Sequence, residues 1–158
     1  MRNGTNRRSS AVWLLVLLQC LLGLGAFVSG GLLVAAPDGS LMQMPLSMLQ
    51  YSPFSSFLFP GILLVIFLGI YPLAVGYSLF QKPSWRWPDA INPFKHMHWS
   101  WTASLSTGVI LLIWITVQVV MLRSVTFLHV LYFIWGWALI ILALTPGIRH
   151  QFIRKGSQ

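Results

Sequence analysis

Four long apolar stretches dominate this chain and leave it few ways to fold. They run over residues 11–36, 53–80, 99–122 and 126–145. A helix rises about 1.5 Å per residue, so roughly 20 apolar residues cross the ~30 Å hydrocarbon layer of a bilayer. Every stretch reaches that length. Lipid offers the backbone no hydrogen bonds, so each stretch must satisfy its own and reads as a helix. The expected fold is an all-α integral membrane protein, with four transmembrane helices forming one domain over residues 1–158.

The spans use most of the 158 residues, which leaves no room for a separate soluble domain. Charged residues make up only 8 % of the chain, against roughly 25 % in soluble domains. Glutamate is absent, and Asp38 and Asp89 are the only acids. A formal charge of +8 on a soluble fold would point to nucleic acid. Here the charges are scattered over the short segments between spans, where they fit anionic lipid and topology control instead. Membrane lipids are therefore the expected partners, and nucleic acid is not.

Basic residues also set the orientation. Arg2, Arg7 and Arg8 precede the first span, Lys82, Arg86 and Lys95 lie between the second and third, and Arg149, Arg154 and Lys155 follow the fourth. With four crossings all of these fall on one side, and only Arg123 falls on the other. The asymmetry predicts both termini in the cytoplasm of an inner membrane. Trp85, Trp87, Trp99 and Trp101 lie where the middle loop meets the bilayer and read as an aromatic belt. The first apolar run is longer than the 7–15 residues of a signal-peptide core, and Pro37 follows Val34-Ala35-Ala36, so the segment reads as an uncleaved helix.

Several local signals refine this plan. Gly25 with Ser29, and Ala26 with Gly30, have the four-residue spacing of small residues that lets two membrane helices approach closely. Pro37-Asp38-Gly39 forms a turn. Pro45 opens a short apolar helix running to about Gln50, expected to lie flat in the outer interface. Ser52-Pro53 reads as the cap and first residue of the second span, in which Pro60 and Pro72 predict two kinks. Only Arg123, Ser124 and Val125 join the third and fourth spans, so these two form a tight antiparallel hairpin with Ser124 or Thr126 as its cap. Thr145-Pro146-Gly147 ends the fourth.

Chemistry-bearing groups are few. The middle of each span lacks Asp, Glu, Lys and Arg, which disfavours proton-coupled transport. Neither a charge ring nor a carbonyl filter marks an ion channel. Cys20 is the sole cysteine, so no disulfide and no Cys-x-x-Cys pair exists. In the third span Ser100, Ser104, Thr107, Leu111, Trp114 and Gln118 share one helical face, which should turn into the bundle. The hairpin brings Gln118 to the depth of Val130, so Gln118, His129 and Tyr132 should cluster near the outer surface. Amide, imidazole and phenol there either satisfy one another or hold a polar group such as a quinone carbonyl. His96, His98 and His150 lie at the opposite surface. They do not share a depth with His129, and no metal, haem or other cofactor is assigned.

The outer loop carries a resemblance. Pro37-Asp38-Gly39, Met44-Pro45-Leu46-Ser47, Leu49, Ser52-Pro53-Phe54, Phe57 and Pro60-Gly61 resemble the pattern of a group of small bacterial four-span membrane proteins to which no reaction is assigned. The resemblance covers roughly residues 23–76. It implies a bacterial inner-membrane origin and singles out Asp38, Ser47, Ser52, Phe54 and Pro60. Two functions are compatible with these features. The first is a non-enzymatic protein acting by association, an accessory or assembly subunit packed against another membrane protein. The second is the binding of a lipid or quinone in a cavity near the outer face, walled by the second helix and the Gln118, His129, Tyr132 cluster and roofed by the outer loop.

Overall fold

The computed structural model describes residues 9–154. Arg2, Arg7, Arg8 and Lys155, which contribute to the charge asymmetry, lie outside them. The described residues form α1 (Ser10–Ala35), α2 (Leu58–Gln81), α3 (Arg86–Ala90), α4 (Trp99–Leu122), α5 (Phe127–Leu144) and α6 (Pro146–Phe152). Of these, α1, α2, α4 and α5 are long and apolar enough to cross a membrane. Short 3-10 turns at Ser40–Met42 and Leu46–Leu49 punctuate the connection from α1 to α2.

Lipid tails are as apolar as leucine, so helix association in a membrane depends on close packing. Glycine supplies it in both helix pairs. A Cβ placed on Gly30 would lie 2.9 Å from the carbonyl oxygen of Gly61, and one on Gly23 would lie 2.9 Å from that of Gly69. The α1 and α2 backbones therefore touch along two turns. Between α4 and α5, a Cβ on Gly108 would lie 2.8 Å from the Gly136 carbonyl oxygen. Of the two small-residue pairs in the sequence, Ala26 and Gly30 are buried, and Gly30 packs against α2. Gly25 and Ser29 face elsewhere, and the Ser29 hydroxyl donates to the Gly25 carbonyl at 2.8 Å.

The start of α2 departs from the sequence reading. The helix begins at Leu58, not at Pro53. Ser52 makes a local turn in which its hydroxyl accepts from the Phe54 amide at 3.2 Å, and the Phe57 amide donates to the Pro37 carbonyl at 2.8 Å. That tie across the loop holds residues 53–57 out of the helix. Pro60 thus falls in the first turn, where a missing N–H leaves no bond broken and no kink is required. Pro72 does disturb the helix. Its ring would crowd the carbonyl of Leu68, and the seven residues Leu64–Ile70 before it widen into a π-helical segment.

The polar stripe of α4 turns inward as expected: Ser100, Ser104 and Thr107 are fully buried. Its partner on α1 is Gln19, also fully buried, whose amide donates to the Ser104 hydroxyl at 3.2 Å. On α2 the Tyr71 hydroxyl shares a 2.7 Å hydrogen bond with Ser106. Two of the four tryptophans assigned to a belt are buried inside the protein. Trp99 and Trp101 are buried and spend their indole N–H groups on the carbonyls of Pro83 (3.0 Å) and Ala143 (2.7 Å). Trp85 and Trp87 remain exposed.

The end of the bundle bearing residues 82–98 and α6 is tightly tied. The Asn92 amide donates to the Met97 carbonyl, Lys82 Nζ to the Gln151 carbonyl, and Arg154 pairs with Asp89. Met97 and Ile153 form an antiparallel bridge. His98 caps α4, its Nδ1 accepting from the Ser100 amide at 3.3 Å. Burial, and then the charges of Arg154 and Lys82, hold the His98 imidazole below its ordinary value of 6.5. Thr145-Pro146-Gly147 ends the fourth span as expected: α5 stops at Leu144, and Pro146 starts α6, where its fixed φ suits a first turn.

The opposite end is looser. In α5 only Gly136, Leu139 and Ala143 are buried, all in its second half, and in α4 no residue beyond Ile115 is buried. Toward this end the α1–α2 pair stands apart from the α4–α5 pair.

Candidate functional site

That separation leaves a cavity of about 500 Å³ between α1, α2, α4 and α5. The volume lies within the roughly 300–1,000 Å³ of small-molecule sites. Gln118, His129 and Tyr132, the residues anticipated from the hairpin register, all line it. The hairpin makes this possible. Arg123 adopts the left-handed conformation at φ 46° and turns the chain back within a few residues. Thr126, not Ser124, caps α5. Its side chain accepts from the His129 amide, while His129 Nδ1 accepts from the Thr126 amide at 3.0 Å.

Each wall has an identifiable source. Leu64 and Leu68 come from the π segment ahead of Pro72, a kind of local widening that recurs at functional sites. Gly25 and Ser29, the small pair not used against α2, line the α1 wall, and a Cβ on Gly25 would meet only the Tyr132 hydroxyl, at 4.0 Å. Met42, Met44 and Met48 come from the α1–α2 connection and line the cavity. Methionine is unbranched and polarisable, and it adapts to irregular apolar shapes. In the sequence Met44 and Met48 read only as part of a short apolar segment. Three methionines within seven residues, next to a short 3-10 turn, are the signal that marks them as a lining.

A second cavity, of about 150 Å³, lies between α4 and the start of α2 and shares Met44, Trp114 and Gln118 with the first. Ser52, Phe54 and Pro60 line it, whereas Asp38 and Ser47 line neither cavity. Asp38 stabilises its own turn instead. Its carboxylate accepts from the Ser40 hydroxyl (2.8 Å) and amide (3.1 Å), which hold it below the ordinary carboxylate range. The loop is anchored by Leu49 and Phe57, buried against Leu33 of α1. Arg123 stacks its guanidinium on the Tyr51 ring at 4.2 Å and so joins the hairpin to the same loop.

The polar content of this space is sparse and unspent. Among the described residues, neither the Gln118 amide nor the Tyr132 hydroxyl has a hydrogen-bond partner, and no Asp, Glu, Lys or Arg lines either cavity. Gln118 and Tyr132 therefore do not satisfy each other, and His129 makes its bonds to Thr126. Such an arrangement can accept an apolar body and offer a few hydrogen bonds to a neutral polar group. It presents no Asp, Glu, Lys or Arg side chain among the described residues. Compared with protein-family models, with curated proteins and with solved structures, the chain matches none. The fold and site thus define an all-helical bundle, four of whose helices are long and apolar enough to span a membrane, with an apolar chamber between them.

Proposed function

We propose that this protein binds a hydrophobic ligand, a lipid or a quinone, in the chamber between its four spanning helices. The single observation behind the proposal is the cavity of about 500 Å³ that gathers Gln118, His129 and Tyr132 with no charged residue in its lining. In this reading the protein sits in a bacterial inner membrane with both chain ends cytoplasmic, which puts the chamber in the outer half of the bilayer and the methionine-bearing loop at the outer interface. The basic residues on the opposite end of the bundle support that orientation. The loop resemblance supports the origin.

Native purification from the source membrane, followed by mass spectrometry of retained small molecules, tests the proposal. A stoichiometric lipid or quinone, lost in the Gln118→Leu, His129→Ala double variant, is the expected result. An unchanged occupancy in that variant refutes the site. Reporter tags at both ends, shielded from a probe outside intact cells, test the orientation.

The second reading is an accessory subunit that acts by association with another membrane protein. It is favoured by the apolar face of α5, on which Phe127, Leu128, Ile134 and Ile141 are exposed. Lipid covers such a face equally well. The Ala26–Gly30 pair gives this reading no separate support, because Gly30 is already packed on α2. A second protein recovered with the chain in that purification, with the chamber empty, would favour association over binding.

A further inference from the structure

The hydrogen bonds around the chamber define what kind of polar group it receives. His129 Nδ1 accepts from the Thr126 amide at 3.0 Å and lies 2.9 Å from the Thr126 hydroxyl. That hydroxyl oxygen accepts from the His129 amide, which leaves its proton free to point at Nδ1. Two donors thus converge on Nδ1. A neutral imidazole carries one proton, so the helix cap places it on Nε2. His129 therefore keeps an N–H donor at Nε2, and the residue lines the chamber.

The neighbouring groups extend the pattern. The Tyr132 hydroxyl and the Gln118 amide have no partner among the described residues, and both can donate. Three residues that can each donate line one cavity, and no Lys or Arg among the described residues lines it. An anionic head group inside would lose its hydration without gaining a counter-charge, which is costly in an apolar space. An uncharged group that only accepts, a carbonyl oxygen, matches all three donors. Gln118 and Trp114 also line the smaller cavity, so Gln118 stands at the junction of two apolar lobes.

We propose that the chamber takes an uncharged lipid by its carbonyl oxygen, held by His129 Nε2–H, the Tyr132 hydroxyl and the Gln118 amide, with apolar branches in the two lobes. The proposal rests on the ligand-binding reading above and narrows it to one ligand chemistry. Two sources carry that chemistry, an isoprenoid quinone and an acyl ester.

The test is native mass spectrometry of the full chain in detergent, titrated with three probes. These are a quinone bearing a decyl chain, dioctanoylglycerol, and decylbenzene, which has no carbonyl. Tyr132→Phe and Gln118→Leu each remove a donor without touching the Thr126–His129 cap. Each should weaken the carbonyl probe by about five- to tenfold, the worth of one neutral hydrogen bond, and leave decylbenzene unchanged. His129→Phe should weaken it at least as much, and because that change also breaks the cap, the first two variants carry the test. Binding of the quinone alone identifies a quinone, and binding of dioctanoylglycerol alone identifies an acyl ester; either supports the proposal. Equal affinity of wild type and both variants for the carbonyl probes overturns it while leaving a purely apolar site. Failure of all three probes to bind the wild type overturns the ligand-binding reading itself, and this inference with it.

Discussion

Two glycines five residues apart on α1 allow a sharp test of how the bundle is assembled. Gly30→Ala and Gly25→Ala change the same helix in the same way. Each should gain up to about 1 kcal/mol of helix propensity. They differ in what the new methyl group meets. At Gly30 it would lie 2.9 Å from the Gly61 carbonyl oxygen and 3.0 Å from the Val65 amide nitrogen, and neither backbone atom can rotate away. At Gly25 the nearest atom is the Tyr132 hydroxyl at 4.0 Å, an ordinary contact. Overpacking costs about 1–3 kcal/mol. The propensity gain is common to both and cancels in the comparison, so Gly30→Ala should be less stable than Gly25→Ala by about 1–3 kcal/mol. Unfolding by sodium dodecyl sulfate in mixed micelles, followed by far-ultraviolet circular dichroism, measures that difference. Two variants of equal stability, or a less stable Gly25→Ala, would show that α1 does not meet α2 through Gly30 and that the chamber wall is misassigned.

Two further expectations follow from buried polar groups. The Gln19 amide donates to Ser104, but its carbonyl oxygen is buried without a partner among the described residues. A hydrogen bond between membrane helices is worth about 0.6 kcal/mol on average, so Gln19→Leu should shift stability by less than about 1 kcal/mol; a loss above about 2 kcal/mol in the same assay would mean that the oxygen is satisfied after all. The second concerns His98, whose protonation is disfavoured in the fold by burial and then by Arg154 and Lys82. Below its ordinary value of 6.5 the unfolded chain binds the proton more readily, so His98 makes stability fall as pH drops through that point and continue falling toward the lower folded value. His98→Asn keeps a capping acceptor without titrating and should flatten this dependence; an unchanged profile would refute the assignment.

Hydropathy alone determined much of this protein. Four apolar runs without buried charge have only helices open to them in lipid, which fixed their number and approximate ends. Helical periodicity placed Ser100, Ser104 and Thr107 on one buried face. A three-residue link between two spans forced a hairpin, and its register put Gln118, His129 and Tyr132 at one depth. Each of these inferences needs only distances along the chain.

Where the inferences failed, contacts between distant segments decided the outcome. The Phe57–Pro37 hydrogen bond kept residues 53–57 out of α2 and moved Pro60 into a harmless first turn. Trp99 and Trp101 are buried in the protein, where the carbonyls of Pro83 and Ala143 are in reach of their indole N–H groups. Gln19 gained meaning only from Ser104, 85 residues away. The chamber itself is the clearest case. Its walls come from four helices: α4 and α5 pack through Gly108 and Gly136 near their middles, α1 and α2 pack through Gly30 and Gly61, and the space lies between the two pairs. Sequence specifies which faces are apolar, but lipid and a neighbouring helix satisfy an apolar face equally, and so only the tertiary packing determines where helices close together and where they leave a space.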